Sequence, residues 1–117
     1  MDIFKIGTGV RTEDVSLATP SGENVSITCK SVNLNVKSKI ESIISKPEKR
    51  TTKDCTEVRW IALRYGVVDA DSGEQLFNGN DRQRFGELES WFVEPLFEKI
   101  LELSGVSEKD REDFEGN

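Results

Sequence analysis

Eight of the nine aromatic residues of this chain lie in its second half: Trp60, Tyr65, Phe77, Phe85, Trp91, Phe92, Phe97 and Phe114. Aromatic side chains bury large areas and dominate cores and interfaces alike, so the fold must be organised around this half. Leu88, Trp91, Phe92, Leu96, Ile100 and Leu103 recur at helical spacing and mark one long amphipathic helix. Within it Trp91, Phe92 and Val93 are consecutive, and so are Leu96 and Phe97. Neighbours in sequence point in different directions on a helix, so this helix carries more apolar surface than one stripe. Two explanations stand side by side: a wide core face, or an anchor such as Trp91 or Phe97 reserved for another polypeptide. Pro95 cannot donate to the backbone ladder, so it either kinks this helix or starts a new one.

The first third reads as β-structure. Val15–Ala18 and Val25–Cys29 are short alternating runs separated by Thr19-Pro20-Ser21-Gly22-Glu23-Asn24, a strong turn signal. Residues 3–6 add a further short strand. Val36, Ile40, Ile43 and Ile44 then form one helical stripe, with Asn33 or Asn35 as its cap and Pro47 as its stop. Residues 46–54 are polar and read as a loop. Residues 56–67 fit a helix through Val58, Ile61, Ala62 and Tyr65, and fit a strand less well through Trp60, Ala62 and Arg64. Gly66 sits close to the end of that helix. Asp69 to Gly73 form a turn, Asn80 caps a short helix over 81–88, and Ser104-Gly105 closes the long helix. Ser107 with Asp110 resembles a capping box and opens a last helix to about Phe114. The expectation is a single α+β domain of 117 residues. It has an N-terminal β-hairpin or small antiparallel sheet (1–32), a helix (33–46), a flexible loop (47–55) and a mainly helical, acidic C-terminal part (56–117).

The chain contains no histidine. That removes the usual general base at neutral pH and the commonest transition-metal ligand. Cys29 and Cys55 are the only cysteines. They read as two free thiols, Cys29 in or near the core, and two cysteines alone make no zinc site. A calcium loop opening at Asp69 needs Gly at 74 and Glu at 80, where the chain has Glu74 and Asn80. No catalytic, cofactor-binding or metal site is therefore expected. No apolar run is long enough for a membrane helix, and the N-terminus lacks the plan of a secretory signal, which points to the cytoplasm.

Charge is divided unevenly. Residues 1–53 hold nine Lys/Arg and six Asp/Glu, net +3, and residues 54–117 hold seven Lys/Arg and 16 Asp/Glu, net −9. The basic stretch, Lys37, Lys39, Lys46, Lys49, Arg50 and Lys53, has no aromatic interleaved, which argues against nucleic acid. Both stretches are either solvated faces or ends that steer copies of the chain, or a basic partner, into register. Together these features suggest a protein that works by binding proteins. Trp60, Tyr65, Phe77, Phe85, Trp91 and Phe97 are the candidate partner-binding residues.

Residues 67–106 carry a resemblance. Val67-Val-Asp-Ala-Asp-Ser-Gly-Glu-Gln-Leu-Phe77 is similar to the V-D-x-D-G-x-x-L-F stretch of tail assembly chaperones of long-tailed, siphovirus-type bacteriophages. Val93-Glu-Pro-Leu-Phe-Glu-Lys-Ile-Leu-Glu-Leu-Ser-Gly-Val106 resembles the following L-D-x-L-F-E-x-A-x-x-L-N-G-L helix of that family. The likeness covers residues 56–117, and the first half matches only in style. Ser72 is inserted before Gly73, Asn78-Gly79-Asn80 replaces the usual Thr-Asp-Glu, and Ser104 stands where Asn is frequent. The resemblance implies a transient helper that coats the helical tape measure protein, brings tail tube protein to it, associates with itself, and is absent from the finished virion. It also implies that a longer form can arise by ribosomal frameshift. The alternative reading is a structural tail-completion subunit, or another subunit of a phage or secretion machine, acting as an interaction module.

Overall fold

The computed structural model describes residues 1–45 and 51–115. Its elements are α1 (Ile3–Gly7), β1 (Thr12–Ala18), β2 (Asn24–Lys30), α2 (Leu34–Ile44), α3 (Thr52–Gly66), β3 (Val67–Val68), α4 (Ser90–Leu103) and α5 (Glu108–Glu115). Two short 3₁₀ turns, Gly79–Asp81 and Phe85–Glu87, lie between β3 and α4. This is the expected α+β plan, with an antiparallel sheet first and a mainly helical part after it.

Side-chain caps set the helix starts. Asn33 Oδ1 accepts the Val36 N–H at 3.0 Å and opens α2. Thr51 Oγ1 accepts from Asp54 N at 3.1 Å, while Asp54 Oδ2 accepts from Thr51 N at 3.0 Å, a reciprocal box that opens α3. Ser107 Oγ accepts from Asp110 N at 3.1 Å and opens α5. The Thr51 box corrects the expected loop: residues 52–55 are the first turn of α3, because Thr51 and Asp54 satisfy its free amides. Residues 46–50, the rest of that loop together with Pro47, lie outside the described residues. Helix α2 ends at Ile44, before the proline.

The sheet has order β1-β2-β3, antiparallel throughout. Val15 faces Ile27, Leu17 faces Val25 and Glu13 faces Cys29 across β1 and β2. Because side chains alternate along a strand, Val15, Leu17, Val25, Ile27 and Cys29 share one face, and α4 packs on it. The opposite face carries Asp14, Ser16, Ser26 and Thr28, with the Thr28 hydroxyl donating to Asp14 Oδ1 at 2.6 Å. β1 is an edge strand with β2 as its one neighbour, and Glu13 and Asp14 on it are exposed. β3 was not expected. It is two residues that follow α3 directly, pair Val67 with Cys29, and bury both valines.

Three further expectations are corrected. Residues 3–6 form the helical turn α1, because Asp2 Oδ1 accepts from Lys5 N and the Thr8 hydroxyl closes onto the Phe4 carbonyl. The helix over 81–88 is two 3₁₀ turns. The first is capped by Asn78 rather than Asn80, with Asp81 returning the hydrogen bond to the Asn78 N–H at 2.9 Å. Pro95 lies inside a continuous α4 and starts no new helix. Gly66 sits where expected, as the last residue of α3, and a Cβ there would fall 2.6 Å from Ile100 Cδ1, so glycine is required for the close approach of α4.

Helix α4 is the shared wall of the molecule. It packs on β1, β2, α3 and α5, while α2 packs on α3 and α5. Val93, Leu96, Phe97, Ile100 and Leu101 are buried, which favours the wide core face as the explanation for its apolar excess. Gly105, at φ +78°, turns the chain from α4 into α5, and Ser104 Oγ accepts the Val32 N–H at 3.0 Å, tying that corner to the β2–α2 link. Cys29 is fully enclosed, and burial pushes its thiol up to about 12. Both cysteines are free thiols.

Gly66→Ala is expected to destabilise the fold by about 1–3 kcal/mol through overpacking against Ile100, read as a lower urea midpoint. A thiol reagent at pH 8 is expected to label partly exposed Cys55 in the native chain. Cys29 should react only after unfolding, since roughly one part in ten thousand is thiolate at that pH.

Candidate protein-binding surfaces

The aromatic residues singled out from sequence divide into three groups. Trp60, Phe77 and Phe85 meet edge to face, with ring centroids 5.4 to 6.3 Å apart. They pin the segment between β3 and α4 onto α3. Trp60 and Phe85 are each 4% exposed, and Phe77 is half-buried. The second group centres on Phe97, which is 1% exposed. The Arg59 guanidinium lies 4.9 Å from its ring centroid and 5.1 Å from that of Phe114, so one cation bridges α4 and α5. Arg59 also forms a two-pronged ion pair with Glu94 of α4 and donates to the Cys55 carbonyl at 3.0 Å. Trp60, Phe85 and Phe97 thus hold the chain's own core together.

The third group reaches solvent. Trp91 is 38% exposed at the start of α4, its ring edge-on to Phe92 at 6.0 Å. Tyr65 is half-buried beneath the Arg64 guanidinium, 5.1 Å from its centroid. Close to Phe77 and Phe85 lies a groove of about 310 Å³, with Leu76 and Leu88 at its sides and Asp81, Arg84 and Glu87 among its lining. Leu76 is 54% exposed.

A further apolar surface lies on residues 3–6, which read as a strand in the sequence and not as a binding surface. Ile3, Phe4 and Ile6 on α1 are 72%, 83% and 66% exposed, and α1 buries no residue. Met1, Val10 and Leu34 are exposed as well. The signal was present as Ile3-Phe4-Lys5-Ile6 ahead of Gly7 and Gly9, an apolar cluster in register with neither the hairpin nor any helix. A second cleft, of about 370 Å³, separates residues 7–10 from the β2–α2 link and Tyr65.

Charge is used locally to join elements. Arg82 pairs with Glu57 of α3, and Lys99 of α4 pairs with Glu13 of β1 and with Glu102. Those carboxylates raise the Lys99 ammonium above its ordinary range. In the turn after β3, the Asp69 carboxylate accepts the Asp71 and Ser72 N–H groups, both at 2.9 Å, which hold it below the usual carboxylate range. Asp69 is therefore engaged as a turn cap. Of the basic stretch, Lys39 and Lys53 are exposed and Lys37 is half-buried; Lys46, Lys49 and Arg50 lie outside the described residues. Among the described residues no helix is long and apolar enough to cross a membrane, and no group of three His, Cys, Asp or Glu could hold a metal ion.

No protein-family model and no curated protein matches this chain. Its fold is shared with a solved structure, the bacteriophage HK97 tail assembly chaperone. The TM-score is 0.61 over 86% of this chain and 95% of that one, at 11% sequence identity. At that identity the likeness establishes the fold, and it takes in nearly the whole of the chaperone.

Arg59→Ala is expected to destabilise the chain by about 2 kcal/mol, since it removes charged hydrogen bonds and the cation between two rings. Trp91→Ala should cost less than about 1 kcal/mol. Urea unfolding of the two variants separates a core role from a surface one.

Proposed function

We propose that this chain is a phage tail assembly chaperone. It binds the tape measure protein in the host cytoplasm, brings tail tube protein to it, associates with further copies of itself, and leaves before the virion is complete. The observation that carries this reading is the fold shared with the HK97 tail assembly chaperone across almost all of that protein. The motif resemblance at residues 67–106 adds independent weight, because it arises from sequence order rather than shape.

The physical character of the surface is compatible with the role. A chaperone of an apolar helical rod needs exposed apolar side chains that accept a helix, and charge that keeps the complex in solution. Trp91, Leu76 and Leu88 supply the first, with half-buried Phe77 and Tyr65 beside the core. The net charge of −6 supplies the second. Many copies on one rod would gain by avidity, so each contact can be weak.

Two measurements test the reading. Co-expression with the long, helix-rich protein of the same phage should keep that protein soluble and give co-elution, reduced several-fold by Trp91→Ala. Immunoblots of purified finished particles should find none of this chain. Stoichiometric presence in particles would reject the transient helper and favour the structural tail-completion reading instead.

A further inference from the structure

Helix α5 is held to the rest of the chain by little. Its eight residues fall below the length at which a helix is stable in water by itself. Among its described residues Phe114 is the only buried side chain. That ring lies 6.0 Å from the Phe97 centroid and 5.1 Å from the Arg59 guanidinium. Charge adds little to the hold. α5 has five acids and two bases, net −3, and it packs on α4, with three acids and one base, net −2, as well as on α2, with one acid and two bases, net +1. Arg111 Nε is buried without a hydrogen-bond partner, a cost that undocking removes. The corner before α5 is fixed by contrast. The Val106 N–H closes onto the Leu101 carbonyl at 3.0 Å, and Ser104 Oγ holds the Val32 N–H. From its cap Ser107 onward, α5 can therefore leave as a unit without disturbing α4. We propose that α5 is a latch: it fills a helix-binding groove between α2 and α4, and gives way to a helix of another protein that sets an aromatic ring against Phe97 and Arg59. This rests on the reading above and names a surface for a helical partner.

The present occupant shows what fits. A helix already lies on α2 and α4 there, and its anchor is a ring against a ring and a cation. The platform does not depend on α5. Arg59 is held by Glu94 and the Cys55 carbonyl, with its guanidinium 4.9 Å from the Phe97 centroid. A cation in that position favours an aromatic face over an aliphatic side chain. A foreign helix without the acidic residues of α5 avoids the like charge on α4, and without Arg111 it buries no orphaned donor. Such a helix makes the better contact. Being tethered, α5 competes at high effective concentration, so the groove stays shut until that better contact is offered.

The test uses the full chain and synthetic peptides, with no phage partner, so its failure leaves the co-expression experiment unaffected. Amide exchange in the wild type should be at least about ten-fold faster in α5 than in α4, as expected of a locally opening unit; equal rates would overturn the latch. The probe is a peptide copying residues 106–115, stapled through positions 108 and 112, with its other acidic residues changed to Gln and its Arg111 to Leu. Added to isotope-labelled wild type, it should shift the amide signals of Arg59, Phe97 and α5 together. A probe with Ala in place of Phe114, and a stapled peptide that keeps the other native residues, should each bind several-fold more weakly. Phe114→Ala in the chain should tighten binding of the probe about ten-fold, since the competing state is lost. Should that variant not fold, Phe114→Leu, which keeps apolar cover without a ring, takes its place with the same direction of change. The proposal is overturned by a probe that fails to bind, by shifts that spare Phe97 and Arg59, by equal binding of the Ala probe, or by a variant that gains nothing. A native-sequence peptide that binds as tightly as the probe would indicate exchange of α5 between copies and reject a foreign helix as the occupant.

Discussion

The contact between Ile100 and the bare backbone of Gly66 sets the spacing on which the fold depends. α4 must lie close to α3 and still cover the sheet, and it can do both only because α3 ends in a residue without a side chain. That closeness explains the crowding of apolar residues on α4. Val93, Leu96, Phe97, Ile100 and Leu101 are all buried because the helix meets the sheet, α3 and α5 together. β3 follows from the same geometry. The chain leaves α3 at Gly66 and drops at once beside Cys29, closing the sheet over its most enclosed thiol.

Charged side chains are placed at the seams rather than inside. Arg59 joins α3 to α4 and α5, Lys99 joins α4 to β1, and Arg82 joins the 3₁₀ segment to α3. Each seam keeps part of its charge in contact with water, so its strength lies more in orientation than in net stability. Arg59 is the exception. Its planar cation is flanked by Phe97 and Phe114, so it contributes packing as well as charge. α5 has few apolar residues, and this is how it is held down.

What could be read from sequence follows from how local each signal is. The hairpin, α2, α3 and α4 were legible because their apolar residues repeat with the period of the element. Asn33 and Ser107 were legible as caps because their partners lie three residues away. β3 was not, since two valines carry no period and their pairing is with a strand almost forty residues earlier. Nor was the purpose of Gly66, which depends on a side chain in another helix. Trp60, Phe85 and Phe97 looked like partner-binding residues because aromatics serve cores and interfaces equally, and only three-dimensional packing separates the two uses. Residues 3–6 read as a strand because so few apolar residues fit several weak patterns, and the Asp2 and Thr8 hydrogen bonds that make them a helical turn leave no period.

The free edge of β1 has its own consequence. An unpaired strand offers a row of amides and carbonyls on which another chain could template, and stacking of that kind is hard to undo. Here the edge strand carries exposed Asp14, with Glu13 held by Lys99, and a charged side chain on an edge discourages backbone-to-backbone growth. The edge is thereby guarded against open-ended growth from strand to strand.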